Sequence, residues 1–173
     1  MEEFDFLQLF FYLLPALVVG VVAYYSFNLH VENENKRRSF LIRKENQKSA
    51  LPLRLQAYER MALFLERITP GSLLLRVKPL DGDKHNYESL LIRNIETEFE
   101  HNLAQQIYIS DECWNAIKAS KNATISLIRK SNMSDSVNSP DKLREVILTD
   151  LLDKKAPSEA GLAYIKNEVK RLF

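Results

Sequence analysis

Cysteine is nearly missing from this chain: 173 residues hold one, Cys113. A lone thiol closes no internal disulfide, which excludes a disulfide scaffold and favours a reducing compartment. Glycine is scarce too, with four in the chain, leaving little backbone for loops that cradle phosphate. No Gly-rich nucleotide loop, serine-nucleophile elbow or paired-cysteine metal motif is found. Net charge is close to nil, 24 Lys+Arg against 23 Asp+Glu, so composition makes no case for nucleic acid. Strand-like alternation is absent almost everywhere, which points to an all-α chain. With 27% charged residues the chain is too polar for a polytopic membrane protein, and with 46% hydrophobic residues too apolar for a disordered tail.

The most consequential absence is local. Phe6 to Leu29 contains no charged residue, and Leu9 to Phe27 is apolar or aromatic except for Ser26. About 24 residues at about 1.5 Å each reach about 36 Å, enough to cross a hydrocarbon core of about 30 Å. Aromatic residues lie near both ends, Phe10, Phe11 and Tyr12 at one and Tyr24, Tyr25 and Phe27 at the other, where rings meet the headgroup layers. A cleaved signal peptide wants a basic start and a shorter apolar run. Here the start is Glu2, Glu3 and Asp5, with no Lys or Arg before Lys36, so the anchor is expected to be retained. Lys36, Arg37, Arg38, Arg43, Lys44 and Lys48 all follow the apolar run. The positive-inside rule then places residues 1–5 outside, a membrane helix at 6–29 and everything beyond in the cytoplasm. Ala16, Gly20 and Ala23 form a small-residue strip suited to close packing of another helix in the membrane.

Residues 30–48 read as a basic juxtamembrane linker or helix, whose Lys36, Arg37, Arg38, Arg43 and Lys44 set topology and touch anionic headgroups. Residues 49–173 read as a small cytoplasmic helical bundle. Its first helix is expected to open near Pro52, after Ser49, and to run to Ile68 with a wide apolar face. A short helix through Leu73–Val77 follows, then a turn at Pro79–Asp83. Leu91, Ile95, Phe99 and Leu103 predict a helix from Lys84 to about Gln105, with a brief extended piece at Ile107–Ile109. Ser110 caps the next helix, 131–139 reads as a polar loop, and Ser139-Pro140-Asp141 caps another. A break at Ala156-Pro157-Ser158 precedes the last helix, with Leu162, Ile165, Val169 and Leu172.

The run from Leu51-Pro52-Leu53-Arg54-Leu55-Gln56-Ala57-Tyr58-Glu59-Arg60 to Ile68 resembles the signature of an uncharacterised family of Bacteroidota bacteria. Its members are single-span proteins with a helical cytoplasmic domain. The resemblance implies a bacterial inner membrane and brings no activity and no catalytic residue with it.

Three patterns carry reactive groups. Glu98 and His101 are spaced i, i+3, as in di-iron carboxylate bundles, but no second Glu-x-x-His exists. Cys113 stands at a helix start, where a thiol pKa can fall, yet Asp111 and Glu112 beside it oppose a thiolate. Asp81-Gly82-Asp83 is a fragment of a metal loop without its other ligands. The expectation is therefore a non-enzymatic, membrane-anchored accessory subunit of a larger inner-membrane complex, without cofactor or metal. Its partners are other membrane proteins and anionic lipid, not nucleic acid or a small-molecule substrate. Arg54, Tyr58, Glu59, Arg60 and Arg67 are the domain face expected to meet a partner. The alternatives are a self-associating membrane scaffold and a membrane-proximal enzyme using Glu98 with His101, or Cys113.

Overall fold

The computed structural model describes residues 6–172; the N-terminal segment 1–5 lies outside the described residues. The described residues form six α-helices and one 3-10 helix, and no strand occurs among them. The helices are α1 (Phe6–Ile68), α2 (Pro70–Arg76), α3 (Lys84–Glu100), α4 (Asp111–Asn132), α5 (Pro140–Asp153) and α6 (Pro157–Lys170), with the 3-10 helix at Leu103–Tyr108. The all-α expectation holds for these residues. Contacts divide the chain into a first unit ending at Ala50 and a second beginning at Leu51.

In the first unit every side chain from 11 to 50 is exposed. Among the described residues one helix, α1, is long and apolar enough to cross a membrane, with mean hydropathy 1.6 over 18 residues.

The second unit has a continuous core. Met61, Phe64, Leu65 and Ile68 of α1 meet Leu73 and Leu74 of α2, Leu91 and Ile95 of α3, Ile117 and Ile128 of α4, and Leu143 and Ile147 of α5, all essentially buried. Phe99 joins three helices: its ring lies 5.6 Å from that of Phe64 and stacks at 5.2 Å on Trp114. Lys121 covers the same ring at 4.8 Å while pairing with Glu96 at 2.7 Å, so the cation is neutralised and also held against an aromatic face.

Caps fall where polar side chains predict them. Ser110 accepts from the Cys113 amide at the start of α4, and Ser139 from the Lys142 amide at the start of α5, followed by Pro140. Three expectations change. α1 does not open at Pro52 but runs through it; proline cannot donate to the Lys48 carbonyl, and the helix crosses that missing bond where the two units divide. α3 ends at Glu100, so Leu103 falls in the 3-10 helix and is exposed, and only Ile109 of the expected strand-like piece is extended. The polar stretch after residue 130 is not a free loop. Ser131 and Asn132 complete α4 and are buried, and the Lys84 ammonium donates to the carbonyls of Asn132 (3.1 Å) and Val137 (2.8 Å).

α6 approaches α4 and α1 closely at Gly161. A Cβ there would meet Ser120 Oγ at 2.8 Å and Leu65 Cδ1 at 2.9 Å, and both neighbours are buried. One turn earlier, the buried Ser158 hydroxyl bonds Thr69 Oγ1 at 2.7 Å. Gly161→Val should overpack this contact and lower stability by about 1–3 kcal/mol, whereas Gly71→Ala, with nothing within 4 Å, should leave it unchanged or slightly raised. Denaturation of the two full-length variants in the same detergent checks the contrast.

Candidate functional site

A network of polar side chains in the second unit converges on Glu168. Its position follows from α6 itself: Gly161, Ile165 and Glu168 recur at helical spacing on the face turned inward. Tyr58 Oη donates to Glu168 Oε1 at 2.7 Å and Ser110 Oγ to Oε2 at 2.9 Å. The Cys113 thiol is close enough to this carboxylate to feel its charge. Arg54 extends the network, donating from Nη2 to Tyr58 Oη and from Nε to the Tyr108 carbonyl, each at 3.3 Å. One carboxylate thus joins α1, α4 and α6 to the 3-10 helix through Arg54 and Tyr58.

The electrostatics follow from these contacts. Burial pushes Glu168 up, but the bonds from Tyr58 and Ser110, with the nearby Cys113 thiol, outweigh it, and the carboxyl ends below its ordinary value. Burial raises the Tyr58 phenol, and the bond to Glu168 adds to the rise. Burial, then Glu168, pushes the Cys113 thiol up to about 12. At neutral pH the thiol therefore keeps its proton. That is opposite to what a thiolate nucleophile requires.

Glu98 is engaged elsewhere. Its Oε1 accepts from Arg67 Nε and from Arg76 Nη1, both at 3.0 Å. Burial raises this carboxyl, and the two guanidinium groups bring it below its ordinary value. His101, at the end of α3, is exposed, and the structure adds no further ligand to the pair. Among the described residues no group of three or more His, Cys, Asp or Glu stands together. Asp81 and Asp83 are occupied locally, Asp81 with the Asp83 amide and Asn86, Asp83 with the His85 amide.

Of the five residues expected to meet a partner, Tyr58 and Glu59 line one groove, while Arg54 and Arg67 are engaged with other side chains. Tyr58 is 2% exposed and turned, with Arg54, toward Glu168. Arg67 is turned toward Glu98. Glu59 and Arg60 are exposed, and Glu59 lines an apolar groove of about 380 Å³ between α1 and α6, walled by Leu55, Ala62, Ile165 and Val169. Ala16, Gly20 and Ala23 lie exposed on α1, with nothing within 4 Å of a Cβ at Gly20. Lys36 and Arg37 pair along the helix with Glu32 (2.7 Å) and Glu34 (3.8 Å), while Arg38, Arg43 and Lys44 are exposed.

A match to a family of unknown function (DUF7935) runs over residues 4–172. The chain belongs to that family. The match takes in the apolar stretch, the charged continuation of α1 and the bundle alike. Comparison with curated proteins and with solved structures returns no match.

Glu168 does not stand out in the sequence, because a charged residue on a helix is ordinarily solvated. The available signal was its place seven residues after Gly161, on the face that carries Ile165. Two predictions follow from the network. A carboxylate with a lowered folded pKa adds stability above its unfolded value, near 4.5, and loses it as pH falls through the folded value. Glu168→Gln should therefore cost about 1–2 kcal/mol at pH 7, toward the lower figure because solvent reaches the carboxylate. The same variant should show a shallower loss of stability below pH 4.5, with the Glu98 share remaining, as urea titrations at several pH values will show. Cys113 should resist maleimide in the folded chain at neutral pH and react fully once the chain is unfolded, read by mass spectrometry.

Proposed function

We propose that this chain is a single-span, membrane-anchored interaction protein, an accessory subunit of a larger inner-membrane assembly in Bacteroidota bacteria. The observation that carries the reading is α1: its side chains from 11 to 50 have no protein cover, and the apolar run within it is long enough to span a bilayer. The basic residues that follow, Lys36, Arg37, Arg38, Arg43 and Lys44, orient the chain with its N-terminus outside and the bundle in the cytoplasm. Ala16, Gly20 and Ala23 then face a partner helix in the membrane. The non-enzymatic reading is supported by what holds the reactive groups: Cys113 is buried and protonated, and Glu98 is neutralised by two arginines. Glu59 and the apolar groove beside it are the cytoplasmic surface open to a partner.

Purification from the native membrane in gentle detergent through a C-terminal tag tests this. A stoichiometric membrane partner should co-elute, and the tag should become accessible to antibody in spheroplasts only after permeabilisation. Gly20→Leu should reduce the co-eluting partner several-fold without changing the melting of the bundle, since a side chain at Gly20 meets nothing within the chain. Elution of a solitary chain would sink the subunit reading, and a covalent dimer on crosslinking within the span would favour a self-associating scaffold.

A further inference from the structure

Beyond the apolar run, α1 carries a second uncovered surface. Lys36, Phe40, Lys44 and Lys48 recur every four residues, and Arg37 and Leu41 lie beside them, so the six form one ridge. Phe40 is 65% and Leu41 53% exposed. The far side of the helix carries the uncharged Asn35, Ser39 and Asn46 around a single apolar residue, Ile42, with the Ser39 hydroxyl bonded to the Asn35 carbonyl at 2.9 Å. Lys36 and Arg37 have carboxylates on their own helix. Among the described residues no carboxylate pairs with Lys44 or Lys48. Two large apolar side chains are therefore set beside two cations, Lys44 and Lys48, that form no ion pair among the described residues, although Glu45 stands between them in sequence.

Lipid headgroups are the first chemistry such a ridge suggests, but length argues against them. Within the first unit α1 is continuous from Phe6 onward, with neither Pro nor Gly between Gly20 and Ala50 to bend it. At about 1.5 Å per residue, Phe40 stands about 16 Å and Lys44 about 22 Å beyond Leu29. The headgroup layer is about 5–8 Å deep on each side, and a tilt of about 20° shortens these distances by less than about a tenth. The Lys36 ammonium reaches the headgroups on its flexible stem. Phe40, Leu41, Lys44 and Lys48 stand clear of them.

We infer that the Phe40–Leu41–Lys44–Lys48 ridge docks an acidic, apolar-centred helix or surface of a protein partner just above the membrane. The inference rests on the membrane-subunit reading, since residue 29 marks the end of the proposed span. Charge supplies steering and register, and the phenylalanine and leucine supply the buried centre.

The test places a photo-reactive phenylalanine analogue at position 40 or 41, and as a control at 39 or 46, in the full chain in its native membrane. Adducts are expected from 40 and 41 and not from 39 and 46, mapping by mass spectrometry to an Asp/Glu-rich peptide of another protein. Lys44→Glu combined with Lys48→Glu should lower the yield at least tenfold, while the partner held through the span still co-elutes. Adducts to lipid, to a second copy of this chain, equally from both faces or unaffected by the charge reversal would overturn the inference. Co-elution of a partner with no adduct at 40 or 41 overturns the docking ridge alone. Loss of every co-eluting partner from the unaltered chain overturns the subunit reading beneath it.

Discussion

An apolar helix with no protein around it must find a non-aqueous surrounding, and everything else proposed for this chain depends on that constraint. Phe11, Leu17, Val19 and Phe27 are each 67% exposed, and Leu13, Val18, Val22 and Leu29 more than half so. Burying a side chain of this kind is worth about 1.5–3 kcal/mol, so on the order of ten of them amount to about 15–30 kcal/mol. That exceeds the whole stability of an ordinary domain, about 5–15 kcal/mol. In the reading proposed here a bilayer supplies that surrounding.

The second unit solves a different problem, which is holding a C-terminal helix with only a narrow apolar face. Gly161 lets α6 come close enough to α4 and Leu65 for dispersion contacts to count. About two turns further on, Glu168 takes hydrogen bonds from Tyr58 and Ser110. A carboxylate so placed gives up hydration and gains directional bonds to two other helices. Its net worth is modest, but it fixes where α6 lies along α1 and α4, which an apolar contact alone does not do. Phe99, stacked on Trp114 and covered by Lys121, plays the corresponding part between α3 and α4.

What could be read from the residues alone follows from the range over which each signal acts. Caps are local: Ser110 and Ser139 with Pro140 mark helix starts without help from the rest of the fold. So is the periodicity of Leu91, Ile95 and Phe99. Pro52 shows the limit. Proline suits a first turn but does not enforce one, and flanking residues of good helix propensity carry α1 through it. Asn132 shows another, because its burial depends on distant groups that bond its Nδ2 and carbonyl, Glu88 and Lys84, while its Oδ1 is buried without a partner. Glu168 shows it again: a glutamate reads as surface in its own helix, and its pairing with Tyr58 across 110 positions draws it half out of solvent.

That pairing also bears on what the chain can do. The reactive groups are tied into packing contacts: the Cys113 proton is held by burial and by the Glu168 charge, the Glu98 oxygen lies between Arg67 and Arg76, and the Glu168 carboxylate accepts from Tyr58 and Ser110. Freeing any of them breaks a contact that holds two helices together. Surfaces without such ties include the apolar run of α1, the basic ridge after it and the groove beside Glu59, and in the reading proposed here it is these surfaces that act, by association.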